Sequence, residues 1–225
     1  ASALAYKSFQ IAREGKIIKG LSLALQAVNR LDEIVAQDSS FYDAYLGTGS
    51  YLYWRSYLTR HLAWLPFFHD QRATGIAQIE KACHNGLLSR WAALSNLAWI
   101  YIQEKDYDKA IECAQHGLNS FPTSRFFLWP LGDAQFHKKD FAAALATYSA
   151  LLKSVIAEKH NNGYNETVLN LKIATCHFEL GDLVTAQQYA QRVRTIAAAG
   201  EVKKRLKEKY AAADHLLDRI RHSDE

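Results

Sequence analysis

The side chains of this chain that could do chemistry are gathered in a few places. His61, His69, Asp70, Cys83 and His84 are ligand types that suit zinc or copper, and Cys113 and His116 stand three apart, one helical turn. A metal site needs such pairs to converge on one point. No HExxH or CxxC spacing occurs, Cys83 and His84 leave a helix on different faces, and Cys113–His116 has no second pair, so no metal is expected. A glycine-rich phosphate loop and a GxSxG nucleophile elbow are also missing. The three cysteines, Cys83, Cys113 and Cys176, are odd in number and far apart, and read as small apolar residues, not as a disulfide framework. The densest charge is in "YIQEKDYDKAIECA" (101–114), where Glu104, Lys105, Asp106, Asp108, Lys109 and Glu112 fall within nine positions. Such a cluster is either a proton-transfer site or the solvated corner of something structural.

The elements that must position these residues are helices. Hydrophobic residues make up 49% and charged residues 22% of 225, which suits a globular chain. There are only 3 prolines and 11 glycines among abundant good helix formers, so the expectation is all-α. No apolar run approaches the roughly 18 residues of a membrane span. The opening "ASALAYKSF" has no apolar signal core; any leader would lie upstream. The compartment therefore stays open between the cytoplasm and, if a leader was removed, the periplasm. The net charge is +4, and "EVKKRLKEK" (201–209) carries five cations against two acids. The remainder is close to balanced, which gives no field for nucleic-acid binding.

The charged corner recurs. Shifted by 34 residues, Ala98 becomes Gly132, Asp106 becomes Asp140, Tyr107 becomes Phe141 and Ala110 becomes Ala144. A third copy, Gly181-Asp182-Leu183 with Ala186, follows after 42, the extra residues falling in "EKHNNGYNE" (158–166). A period of 34 with small residues at fixed places marks stacked helical hairpins, each needing its neighbour to bury its second face. Ala98, Gly132 and Ala174 on the first helix, and Ala110, Ala144 and Ala186 on the second, allow close approach. Asp106, Asp140 and Asp182 stand where an N-cap accepts free amides. The opening cluster thus reads as a turn with its charges in solvent.

These residues resemble the tetratricopeptide repeat family. Residues 91–124 carry its pattern in Leu94, Leu97-Ala98, Tyr101, Ala110, Ala114, Gly117 and Pro122; 125–158 in Leu128, Leu131-Gly132, Ala144 and Tyr148; 167–200 in Ile173-Ala174, Ala186, Ala190 and Val193. An interrupted unit spans 42–89, with Tyr45, Gly49 and Leu52, then Gly75, Ile79 and Ala82, around an insert "LTRHLAWLPFFHDQR" (58–72). Ala27, Leu31 and Ile34 fall in the second helix of an N-terminal hairpin (1–41). The stretch Gly49, Tyr53, Leu65-Pro66, Asp70, Arg72 and Gly75 is also similar to an uncharacterised bacterial subgroup and to a family implicated in clearing inclusion bodies at mitochondria. The resemblance implies one domain over 1–225, an all-α right-handed superhelical solenoid of about eleven helices, closed by a capping helix within 201–225.

It also implies a non-enzymatic scaffold whose first helices line a concave groove for a peptide or protein segment. Carried over residue by residue, the groove comprises Tyr53, Ser95, Asn96, Trp99, Phe126, Trp129, Asp133, Phe136 and Lys172, with Asp43, Leu46, Ser50, Ile102, Val168, Leu171 and Thr175 beside them. The wall is rich in aromatics, which dominate binding hot spots. The family's chaperone-tail clamp is missing: Asn96 matches one member, but Leu46, Ser50, Phe126 and Pro130 replace the others. Pro130 is expected to kink its helix, and Asp70 to cap the helix that follows the insert. Leu206, Tyr210, Ala213, Leu217 and Ile220 form an apolar stripe over 201–222. It reads either as a cap on the last hairpin or as a seam between two copies of a self-associating structural protein. No cofactor is expected, and the partner is an unidentified protein or peptide.

Overall fold

The structure is a computed structural model that describes residues 2–62 and 69–223. The centre of the 58–72 insert lies outside the described residues, as does Leu65-Pro66. Among the described residues there are twelve α-helices and no strand: α1 (Ser2–Arg13), α2 (Ile17–Gln37), α3 (Ala44–Thr59), α4 (Arg72–Asn85), α5 (Arg90–Gln103), α6 (Tyr107–Ser120), α7 (Arg125–His137), α8 (Phe141–Ile156), α9 (Tyr164–Glu179), α10 (Leu183–Thr195), α11 (Gly200–Arg205) and α12 (Lys207–Ser223). A 3₁₀ turn, Arg60–Leu62, follows α3. Within each unit, helices adjacent in sequence pack on one another, as in a helical solenoid. The contacts form two compact units, Ala1–Ile100 and Tyr101–Glu225, with the boundary inside α5.

In the first unit α1 packs on α2, α2 on α3 and α3 on α4. The α3–α4 contact is set by two glycines. A Cβ on Gly49 would lie 2.6 Å from the Gly75 carbonyl oxygen, and one on Gly75 would lie 2.6 Å from that of Gly49 and 2.7 Å from the Tyr53 nitrogen. Backbone therefore meets backbone, with Tyr53, Ile79 and Ala82 fully buried beside the crossing. Asp43, at the N-cap position of α3, does not cap its own helix. Its Oδ1 instead accepts the amides of Leu88 (3.0 Å) and Ser89 (2.7 Å) and the Ser89 hydroxyl (2.6 Å), tying the turn before α5 to the start of α3. Asp70 stands one residue outside the N-cap of α4, which is Gln71. It still accepts the Arg72 amide at 3.0 Å and pairs with the Arg72 guanidinium at 2.8 Å, so it braces the first turn without capping it.

In the second unit the helices pack in sequence from α6 to α10, and α12 closes on α10 and α9. One core cluster joins Tyr148, Leu151, Val155, Leu169, Ile173 and Cys176; another joins Ala174, Ala186, Ala190, Leu216 and Ile220. The repeated corner has one geometry at each occurrence. Lys105, Lys139 and Gly181 adopt left-handed φ values of 62°, 66° and 82°. The amides of Asp106, Asp140 and Asp182 then donate to the carbonyls five residues back, each at 2.9 Å, which closes the preceding helix. Each aspartate side chain in turn accepts an amide of the next helix, from Lys109, Ala143 and Thr185 at 3.3, 3.2 and 3.1 Å. The charged stretch at 104–112 is this corner: Glu104, Lys105, Asp108, Lys109 and Glu112 are exposed.

The segment 201–222 departs from the single helix expected, and this accounts for the twelfth. At Leu206 the backbone tightens, the Leu206 amide being shared between Val202 and Lys203 and its carbonyl between Lys209 and Tyr210. Leu206 itself is fully buried at this junction. Pro130, by contrast, sits buried within a continuous α7. It forfeits the bond to the Phe126 carbonyl.

Candidate functional site

The helix α7 places Phe126, Trp129, Asp133 and Phe136 at steps of three, four and three residues, which lie on one face. Its start is anchored by Arg125, whose guanidinium donates to the Ser154 hydroxyl and carbonyl, both at 2.7 Å, and pairs with Glu158. Phe126 is 53% exposed and packs its edge on buried Phe127. Trp129 and Phe136 are half-buried, resting on the core formed by α8 and α9. On α9, Val168, Leu171, Lys172 and Thr175 are partly exposed, whereas Leu169, Asn170, Ile173, Ala174 and Cys176 are buried. The partly exposed side of α9 therefore carries the residues assigned to the groove.

The two helices are linked across this face. Lys172 Nζ lies 3.0 Å from Asp133 Oδ1, and Tyr148 of α8 donates its hydroxyl to the same oxygen at 2.8 Å. The Lys172 ammonium also stands 5.2 Å from the centre of the Tyr148 ring and 5.6 Å from that of Phe136. Burial, and then the charge of Asp133 and the hydrogen bond to it, push the Tyr148 phenol well above its usual range. Tyr148 is thus a fixed proton donor that holds Asp133 in place. The result is a partly enclosed ion pair set among aromatic rings. Tyr148 reads from sequence as a core residue of its repeat, and only the geometry reveals that its hydroxyl organises the pair.

The other assigned residues fall in the first unit, with two different outcomes. Tyr53 is fully buried and Ser95 is 2% exposed, so neither lines an open surface. For Tyr53 the reason is the glycine crossing: α3 and α4 come close enough to enclose its ring, which stacks on Tyr57 and meets Trp54 edge-on. Asn96 and Trp99 remain partly exposed on α5, though the Asn96 Oδ1 is enclosed without a hydrogen-bond partner. Asp43 is committed to the turn at 88–89, as described above.

The residues weighed for metal chemistry do not assemble. His61, His69 and His84 are exposed, Asp70 is paired with Arg72, and Cys83 is buried. No group of three or more potential ligands forms among the described residues. Burial raises the Cys83 thiol and pushes Cys176 up to about 12, so both stay protonated and unreactive near neutrality.

Residues 91–124, which comprise most of α5 and all of α6, match the family model described as tetratricopeptide repeat. No curated protein matches the chain. The chain is therefore one that carries a tetratricopeptide repeat. No helix among the described residues is long and apolar enough to cross a membrane.

Proposed function

We propose that this protein is a non-enzymatic scaffold that holds a segment of another protein against the α7–α9 face of its second unit. The repeat matched at 91–124 belongs to a class of protein-interaction modules, and this supports the scaffold role. The observation that carries the finer reading is the row Phe126, Trp129, Asp133, Phe136, partly open and paired through Asp133 to Lys172. Rigid aromatics contribute contact area at small entropic cost. The ion pair offers one acceptor and one donor beside them, which can orient a bound backbone or a polar side chain.

The test is affinity capture of partners followed by titration of the captured segment. Truncating a central aromatic anchor costs about 2 kcal/mol or more, roughly thirtyfold in affinity. Trp129→Ala also removes packing from the core, so Phe126→Ala, an exposed position, provides the variant whose fold is not at risk. Both should weaken binding strongly. Unchanged affinity in Phe126→Ala and in a folded Trp129→Ala would overturn the assignment of this face.

A further inference from the structure

The second unit contains another concave surface, distant in sequence from α7. A cavity of about 490 Å³ is lined by Arg194 at the end of α10, Ile196, Ala197 and Ala198 of the following linker, Lys203 of α11 and Tyr210 of α12. A second cavity, of about 290 Å³, shares Lys203 and Tyr210 and adds Gly200, Lys204 and Lys207. The two share one lysine and one tyrosine, so they adjoin and are taken together as one trough. The linker that floors it is held by close packing: a Cβ on Gly163, itself at φ +80°, would lie 2.4 Å from the Ala197 carbonyl oxygen.

The charges of the trough are one-sided. Among the described residues no acidic side chain lines either cavity. Arg194 is neutralised by Asp214 at 3.1 Å and Lys204 by Glu201 at 2.7 Å. Arg205 lies over the Tyr164 ring, 4.6 Å from its centre. Lys203 and Lys207 have no ion-pair partner among the described residues. They stand four residues apart on either side of the Leu206 junction, and both line the smaller cavity.

From this arrangement we infer that the trough binds an acidic, extended peptide segment of a partner protein. The Lys203 and Lys207 ammonium groups pair with carboxylates spaced along it. The Ile196–Ala198 linker and the Tyr210 ring receive an apolar side chain lying between them. An extended acidic peptide is the occupant that can place carboxylates at both lysines and an apolar side chain against Ile196 and Tyr210 at once. The site is distinct from the α7–α9 face and does not depend on it.

The experiment is fluorescence anisotropy with a labelled eight-residue peptide of alternating Glu and Leu, beside its Gln–Leu counterpart, at about 50 mM salt, where exposed charges are weakly screened. The Glu peptide should bind and the Gln peptide should not. Lys203→Glu with Lys207→Glu should weaken binding at least about tenfold, because two attractions become repulsions. Lys203→Arg with Lys207→Arg should retain it. Lys7→Glu with Lys19→Glu, the same charge change in the first unit, should not weaken it. Equal binding of the Gln peptide, or indifference to the double reversal at 203 and 207, overturns the inference. So does tighter association with phosphatidylserine vesicles that the same reversal abolishes, since that would assign the trough to a membrane surface.

Discussion

At the scale of single residues the repeated corner depends on one backbone conformation. Lys105, Lys139 and Gly181 all take it, but only glycine does so without a steric penalty. A Cβ on Gly181 would meet nothing within 4 Å, so substitution there reads out backbone strain alone. Gly181→Ala should destabilise by about 1 kcal/mol, and Lys105→Gly or Lys139→Gly should stabilise by about 0.5 kcal/mol, the gain being reduced by the greater freedom of glycine in the unfolded chain. Urea unfolding measures both, and a stabilised Gly181→Ala would contradict the strain argument. Carboxylates at the turns add a dependence on pH. Burial alone would raise Asp43, but the hydrogen bonds from Ser89 and from the amides of Ser89, Leu88 and Leu87 outweigh it and hold the carboxyl below its ordinary 3.8. The Lys109 side chain does the same for Asp106, and the Thr185 side chain for Asp182. A carboxylate depressed in the folded state stabilises it fully above the unfolded value, and this is lost as pH falls through the folded one. Stability should therefore decline below about pH 4, and Asp43→Asn, which keeps an acceptor but no titrating charge, should flatten that decline in acid titrations followed by circular dichroism.

At the scale of elements the hairpins close on small side chains. Ala110, Ala144 and Ala186 are fully buried, and Gly132 lies where a Cβ would be 2.6 Å from the Tyr148 ring. Ala144→Leu should overpack this contact and cost about 1–3 kcal/mol. Lys109→Ala or Glu112→Ala, both in solvent, should change stability by less than about 0.5 kcal/mol. Thermal unfolding separates the two classes, and a larger loss from the surface changes would mean that the charged corner does more than turn the chain. These corners were legible in sequence because they combine three local signals: a residue suited to the left-handed turn, an aspartate cap, and a small residue three positions after the next side chain. The N-terminal corner was missed although Gly15 shares the conformation, at φ 82°, and the Lys16 amide donates to Ile11 five residues back. With Lys16 in place of aspartate, it lacks the cap that marks the others. Burial was less legible. The spacing that places Tyr53 on the groove side says nothing of how closely α3 meets α4, which depends on the pairing of Gly49 with Gly75 across 26 positions. That Phe126, Trp129, Asp133 and Phe136 share one side of α7 follows from spacing alone, because all four lie on one helix.

At the scale of the whole molecule, a stack of hairpins leaves its last one with an apolar face and no successor, and something must cover it. Here the cover is α12. Leu216 and Ile220 are 4% and 2% exposed against Ala174, Ala186 and Ala190, with Phe178, Leu183 and Tyr189 around them. Of the stripe that could have served as a seam between two copies, Leu206, Ala213 and Ile220 are buried within the unit, while Tyr210 and Leu217 stay partly exposed. Two outcomes follow for the same substitution. If α12 seals the hairpin, Ile220→Ala should cost about 2–5 kcal/mol, as loss of a buried branched side chain does. The double change Leu216→Glu, Ile220→Glu should then undock the helix, lower the unfolding temperature and raise dye binding to the exposed apolar surface. The unaltered protein should sediment as a monomer at micromolar concentration. If α12 is instead a seam, the unaltered protein should sediment as a dimer, and the double glutamate change should yield a monomer as stable as any folded single copy. Sedimentation velocity and thermal unfolding on the same two samples decide between them, because charge on a seam releases a partner, whereas charge beneath a seal opens the core.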